Sequence, residues 1–411
     1  FRRKLAAEGS VKAPEWAQPQ HARDLLPAML AGTWNEAKEG DRKVLTEFAQ
    51  EPYESYKNRL QPWTLCEDPP VRFVGDVWYV VSREDIWRSL SQSITKEDLE
   101  RMVSAVNEVL GTPLPKYELP DDKQFMSNIL GHEAPHSSQL RRGLADSLAI
   151  MGARGGDLPV SRGVTMDHYA ARIVRDLLAK AATDWKIWAS LQNTLKCLAE
   201  AAPEELLSAL ENSLQGDPPV LSNLFRDKDA DWFVSPAHTG LLWALETMAW
   251  SEDLLPRVVL ILARLCLIDP GGQWANRPSA SLRTIFLPWH HQTSASVDSR
   301  LGTIDLIRKR VPSASWPFLK SLLPQNHDVG LNSQKPKWRE WALKARRPTN
   351  GDYWTIVVGV VQRMLEDVGT DGEKWSDLIE AMDVLPDDQF DQIVGQLSSL
   401  DCNPPALSAS Q

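Results

Sequence analysis

The sequence predicts an all-α protein, an irregular α-solenoid of helical hairpins, with a small α+β module in its N-terminal third. Three observations carry this. Apolar residues recur at helical spacing along nearly the whole chain of 411 residues. Residues 71–81 (VRFVGDVWYVV) instead place β-branched and aromatic runs on either side of Gly75-Asp76, which is a hairpin signature. In the second half, one apolar stripe returns after Pro203, Pro312 and Pro386.

Residues 1–64 read as an N-terminal helical segment. Pro14, Pro19 and Pro27 interrupt it, residues 23–30 fit a short helix, and residues 39–60 fit a longer one broken at Pro52. Residues 65–111 read as the α+β module. Pro69-Pro70 introduces the hairpin, and two capping boxes follow, Ser82 with Asp85 and Thr95 with Asp98. After the second, Leu99, Met102, Val103, Val106, Val109 and Leu110 share one helical face, and Gly111 stops it. A hairpin with two or three helices suggests a winged-helix-like module, although the order of elements departs from that fold.

Residues 112–411 read as a helical-repeat region. A Pro-rich link (112–120) leads to a helix at 137–152 with Leu140, Leu144, Leu148 and Met151 inward, and Arg154-Gly155-Gly156-Asp157 reads as a flexible loop and boundary. Counting from Pro203, Pro312 and Pro386, apolar residues stand four on (Leu207, Trp316, Phe390), seven on (Leu210, Leu319, Ile393) and eleven on (Leu214, Leu323, Leu397). Leu195, Ile304 and Leu378 stand eight before, so each Pro opens the second helix of a hairpin. The spacings are unequal, which makes the repeat irregular. The most apolar run, residues 258–268, sits inside the organising stretch 237–292, and the core is expected to centre on 243–268. Arg257 and Arg264 interrupt it, and it is too short to span a bilayer. The tail from Asn403 is small and polar and reads as frayed.

Residues 255–296 (LPRVVLILARLCLIDPGGQWANRPSASLRTIFLPWHHQTSAS), with GDVWYVVSREDIW (75–87) and HSSQLRRGLADSLAIMG (136–152), resemble the helical C-terminal region of large bacterial STAND-type NTPases. These are packing patterns, not catalytic motifs. That family's nucleotide-binding motif G-x-x-x-x-G-K-[ST] does not occur in the chain. The resemblance therefore implies a sensor part without its motor, a role in antiviral defence, and recognition of a viral component. The chain begins with Phe1 and reads as a fragment of something longer.

Composition narrows the function. With 45 basic and 55 acidic residues the net charge is −10, which argues against general binding to nucleic acid or anionic membranes. Cys66, Cys197, Cys266 and Cys402 lie far apart and read as reduced thiols of a cytoplasmic protein. Tryptophan is over-used, 17 against 9 Phe and 6 Tyr. Either the indoles wedge helices together or some of them anchor a partner.

Four motifs invite chemistry. His132-Glu133-Ala134-Pro135-His136 matches the zinc motif H-E-x-x-H, but Pro135 would break the helix that must place both imidazoles on one face. A metal-dependent hydrolase is thus a rival reading, with Ser137 as the N-cap of a new helix as the alternative. Asp227-Lys228-Asp229-Ala230-Asp231 opens like a calcium loop, yet Trp232 and His238 stand where Gly and Glu are required. Residues 335–347 (KPKWREWALKARR) interleave basic residues with Trp338 and Trp341, which suits nucleic acid. On a helix the two indoles would instead face the core. His290-His291 follows Pro288-Trp289 without a triad or paired carboxylates around it.

The expectation is a non-catalytic scaffold or sensor region that binds a protein partner and carries no cofactor or metal. Trp289, His290 and His291, with Arg339 and Arg346, are the candidate protein-binding residues. Aromatic and Arg side chains supply most hot spots, and a Trp in a Pro-flanked loop is poorly explained by helix packing.

Overall fold

A computed structural model describes residues 13–225, 236–272, 274–325 and 327–400. Helix takes 64% and strand 5%, so the fold is all-α with a small α+β part. The calcium-like stretch 227–231, Cys402 and the tail from Asn403 lie outside the described residues. Two compact units divide the chain. Unit one holds the described residues up to Met248, Ile268–Arg277 and Gln334–Glu340; unit two holds Ala249–Leu267, Pro278–Ser333 and the described residues from Trp341. These divisions do not follow the sequence boundaries at 64/65 and 111/112. The stretch 237–292 also serves no single core, because the chain passes from one unit to the other after Met248. A turn at Ser251-Glu252-Asp253 separates the helices Thr239–Met248 and Leu255–Ile268.

In unit one the hairpin forms as its sequence predicts. Strands β2 (Val71–Val74) and β3 (Val77–Val80) pair antiparallel with Val74 opposite Val77, and Gly75 turns the chain at φ +61. Strand β1 (Thr33–Asn35) joins the other edge of β3, giving the order β1-β3-β2. The α+β module is therefore not confined to residues 65–111. Pro52 separates helices Glu39–Ala49 and Tyr53–Leu60. Ser82 caps Arg83–Leu90, and the Thr95–Asp98 box closes in both directions on Lys96–Val109.

Ser137 caps Ser138–Arg154, with Leu140, Leu144, Leu148 and Met151 buried. Gly155 and Gly156 are not a boundary. They lead into a second small hairpin, β4 (Pro159–Ser161) with β5 (Val164–Thr165), and unit one continues through it. Helices Ser138–Arg154, Met166–Ala179, Leu195–Ala201, Pro203–Ser213 and Thr239–Met248 pack around this core. Gly152 permits a close helix approach: a Cβ there would stand 1.9 Å from the Ala201 carbonyl oxygen.

The Pro register holds in both units. Pro203 and Pro312 open helices Pro203–Ser213 and Pro312–Ser321, and Pro386 is the N-cap of Asp387–Ser398. Leu195, Ile304 and Leu378 on the preceding helices are fully buried, as are Leu210, Leu319 and Ile393. The stripe weakens along the chain, since Leu207 is buried but Phe390 is exposed. In unit two, Arg308 and Arg363 share Asp305, and Arg308 also reaches Asp367 and Glu366. This ties Val297–Arg310 to Asn350–Asp367. Among the described residues no helix is long and apolar enough to cross a membrane, and Cys66 and Cys197 are free thiols.

Candidate protein-binding face

In unit two, helix Pro278–Phe286 ends where Leu287 and Pro288 turn inward, which lifts Trp289 to the surface. Trp289 is 38% exposed, so it does not plug the core after that helix. Its indole Nε1 donates to Asp328 Oδ2 at 3.2 Å, and Arg283 fixes the same carboxylate while its Nε donates to the Ser321 carbonyl at 3.0 Å. The Trp289 and His290 rings stack with centroids 5.6 Å apart, and His290 Nε2 shares a hydrogen bond with Asn332 Oδ1 at 3.1 Å. Gly330 lies against both rings; a Cβ there would stand 2.7 Å from Trp289 Cη2. The segment 328–332 thus lies against the two rings. It exposes Val329 (71%) and Leu331 (69%) beside them.

His291 turns the other way. Its Nδ1 is buried without a hydrogen-bond partner, as are Nε and Nη1 of the buried Arg300. Burial, and then the Arg300 charge, push the His291 ring down to about 4. It is therefore neutral near pH 7. Gln292 braces this stretch by donating to the His290 and His291 carbonyls at 3.2 Å each, while its own Oε1 accepts from Ser333 N at 3.3 Å.

Of the two arginines grouped with this face, Arg339 goes elsewhere. Arg346 is exposed and belongs to unit two, as the face does. Arg339 belongs to unit one, where its guanidinium donates to the carbonyls of Glu200 (Nε, 2.9 Å) and Gly152 (Nη2, 2.9 Å). Burial pulls its pKa below the usual arginine value, and the Glu200 carboxylate opposes that shift.

The basic-aromatic segment 335–347 is not one helix. Residues up to 340 form an irregular strap, and only Trp341–Lys344 makes a 3-10 turn. Three acidic residues of unit one receive the strap. Glu246 accepts from Gln334 N, Glu200 accepts from the backbone N–H groups of Lys337, Trp338 and Arg339, and Asp146 accepts from Lys337 Nζ and Trp338 Nε1, both at 2.9 Å. Donors of Lys337, Trp338 and Arg339 are thus engaged by unit one. The expected helix gives way because three buried or half-buried acids reward a non-helical backbone whose N–H groups meet them.

His132 and His136 stand in a loop, not one turn apart on a helix. His132 Nδ1 is 3.8 Å from Glu118, and His136 Nε2 is 3.8 Å from Glu108. Glu133, which the zinc motif would aim at bound water, instead pairs with Lys38. His238, from the calcium-like stretch, is buried with its ring nitrogens on the Leu224 and Asn276 carbonyls.

Sequence reasoning missed Val329, Leu331, Asp328 and Asn332. The available signal was two apolar residues around Gly330 in a stretch without helical period. No protein-family model matches the chain, and no curated protein is significantly similar to it.

Proposed function

We propose that this chain is a non-catalytic protein-binding scaffold or sensor region, and that it docks its partner on the Trp289 face of unit two. The observation that carries this reading is a Trp held half-exposed by Asp328, with Val329 and Leu331 exposed on the segment beside it. Exposed apolar residues around an anchored aromatic ring form the usual centre of a protein interface. His290 and Asn332 supply a polar rim. Arg346 stays a candidate rim residue, whereas Arg339 serves unit one internally. The resemblance to the sensor regions of STAND-type NTPases would make the partner a viral component and the setting antiviral defence.

A photo-crosslinking amino acid at position 329 tests this. Position 394 of the same unit, where Val394 is 40% exposed, serves as the control. In lysate from phage-infected cells, 329 should trap a defined protein that 394 does not, and Trp289→Ala should cost that complex about 2 kcal/mol, or roughly thirtyfold in affinity. Equal trapping at both positions, or trapping unaffected by Trp289→Ala, would reject the face. Oligonucleotide binding that weakens steeply with salt would instead favour a nucleic-acid partner.

A further inference from the structure

Unit one contains a polar groove of about 750 Å³ whose walls include Lys38, Gly40, Lys43, Glu108, Glu133 and His136. Helix Glu39–Ala49 begins in this groove, and no side chain caps it. Its first-turn N–H groups have no capping side chain and stand at the positive end of the helix dipole. The one acidic group that could have turned back on them does not. Asp41 is buried and accepts from Asn35 N at 2.8 Å and Ser137 N at 2.9 Å.

A second feature lines the same space. His136 is 7% exposed, and its Nε2 has no hydrogen-bond partner. It lies beside the uncapped helix start, because a Cβ on Gly40 would be 3.1 Å from Nε2 and 2.4 Å from the Pro135 carbonyl oxygen. Only glycine at position 40 lets the imidazole and the first turn approach this closely. A buried imidazole nitrogen without a partner is costly, and a ligand group that completes its hydrogen bond removes that cost.

The charges select the ligand. Lys38 pairs with Glu133, and Lys43 pairs with Glu108 at 3.1 Å. Glu39 adds a third carboxylate at the rim. A simple anion would meet three carboxylates, and a simple cation would meet two ammonium groups and the helix dipole. A molecule carrying both signs finds partners for each. We propose that this groove binds a small zwitterion, an amino acid or short peptide. Its carboxylate accepts from the N–H groups of Glu39 and Gly40 and from His136 Nε2, and its ammonium donates to Glu108 and Glu133. This site lies within unit one, so its failure would leave the Trp289 reading untouched.

Isothermal titration of the full chain with glycylglycine and L-alanyl-L-alanine tests the assignment, with acetate and methylammonium as single-charge probes. At least one dipeptide should bind saturably at about millimolar Kd, and both single-charge probes at least tenfold more weakly. Glu108→Gln and His136→Phe should each weaken dipeptide binding at least tenfold while the circular dichroism spectrum is unchanged. Acetate or methylammonium binding as tightly as the dipeptides would overturn the zwitterion assignment. So would the absence of dipeptide binding up to about 50 mM, or parental affinity in both variants.

Discussion

Replacing Glu200 by alanine should cost unit one about 4 kcal/mol. The side chain is 2% exposed, and its carboxylate accepts three consecutive backbone N–H groups, those of Lys337 and Arg339 at 3.0 Å and that of Trp338 between them. Hydrogen bonds to a charged acceptor contribute about 1.5–3 kcal/mol each, so a simple sum is about 4.5–9 kcal/mol. Two effects reduce it. Alanine no longer buries a charge, and Lys337 lies at the surface, where water can reach a freed N–H. The remainder falls within the roughly 3–5 kcal/mol lost when one partner of a buried charged interaction is removed. Glu200→Gln keeps the shape but turns an amide NH₂ toward one of the N–H donors, and should cost about 2 kcal/mol. Urea unfolding followed by circular dichroism reads both, with the alanine midpoint moving down by about 1.3–2 M if the slope is 2–3 kcal/mol per molar. An alanine variant within about 1 kcal/mol of the parent would refute the reasoning. The strap at Gln334–Glu340 would then be held by its side chains and not by capture of its backbone.

Leu262→Asp should unfold unit two, because Leu262 is fully buried and an unpaired carboxylate there costs at least about 4 kcal/mol; a soluble variant with the parental melting temperature would contradict this. Val329→Asp with Leu331→Asp should leave stability within about 0.5 kcal/mol, since both side chains are exposed, while abolishing trapping at the Trp289 face. His291 gives a pH signature, because its folded value of about 4 lies below the ordinary 6.5. Between those values the unfolded chain takes up a proton that the folded chain refuses, so this stability is complete above 6.5 and is lost as pH falls toward 4. His291→Gln should escape about 2 kcal/mol of that loss at pH 4, after allowance for partial exposure; superimposable pH–stability curves for parent and variant would exclude a buried neutral imidazole.

Local signals were legible and distant ones were not. The hairpin at 71–81 is specified by alternation and by Gly75, all within one stretch of chain. Strand β1 escaped notice because three residues, Thr33–Asn35, carry no period and their partners in β3 lie more than forty positions away. The passage between units at Met248 was hidden because apolar residues stand on both sides of it. Trp289 could be suspected of exposure from its Pro-flanked position, but Asp328 and Asn332, which orient it and its neighbour, lie in a segment without periodicity. A basic-aromatic run such as 335–347 reads the same whether its donors meet phosphates or buried acids. Only the positions of Glu200, Glu246 and Asp146 distinguish the two.

Five of the 17 tryptophans share one device, an indole N–H donated to an acidic side chain. Trp63, Trp78, Trp289, Trp316 and Trp338 each donate the indole N–H to a carboxylate, those of Asp24, Glu36, Asp328, Asp377 and Asp146, at 2.8–3.2 Å. An indole is a donor only, so burying its large apolar surface requires an acceptor at one edge. A carboxylate supplies a charge-assisted one. Each pair fixes both the depth and the rotation of a wide ring, which suits irregular helical hairpins whose stripes do not repeat at one period. Four of these rings use the device for packing, and Trp78 is fully enclosed. Trp289 uses the same device at the surface. Asp328 holds the ring in place before any partner arrives, so little side-chain freedom remains to be lost on association. An exposed ring kept rigid by the means that elsewhere stabilises the interior is suited to recognition, and this is why the proposed face centres on Trp289 and not on the longer basic segment.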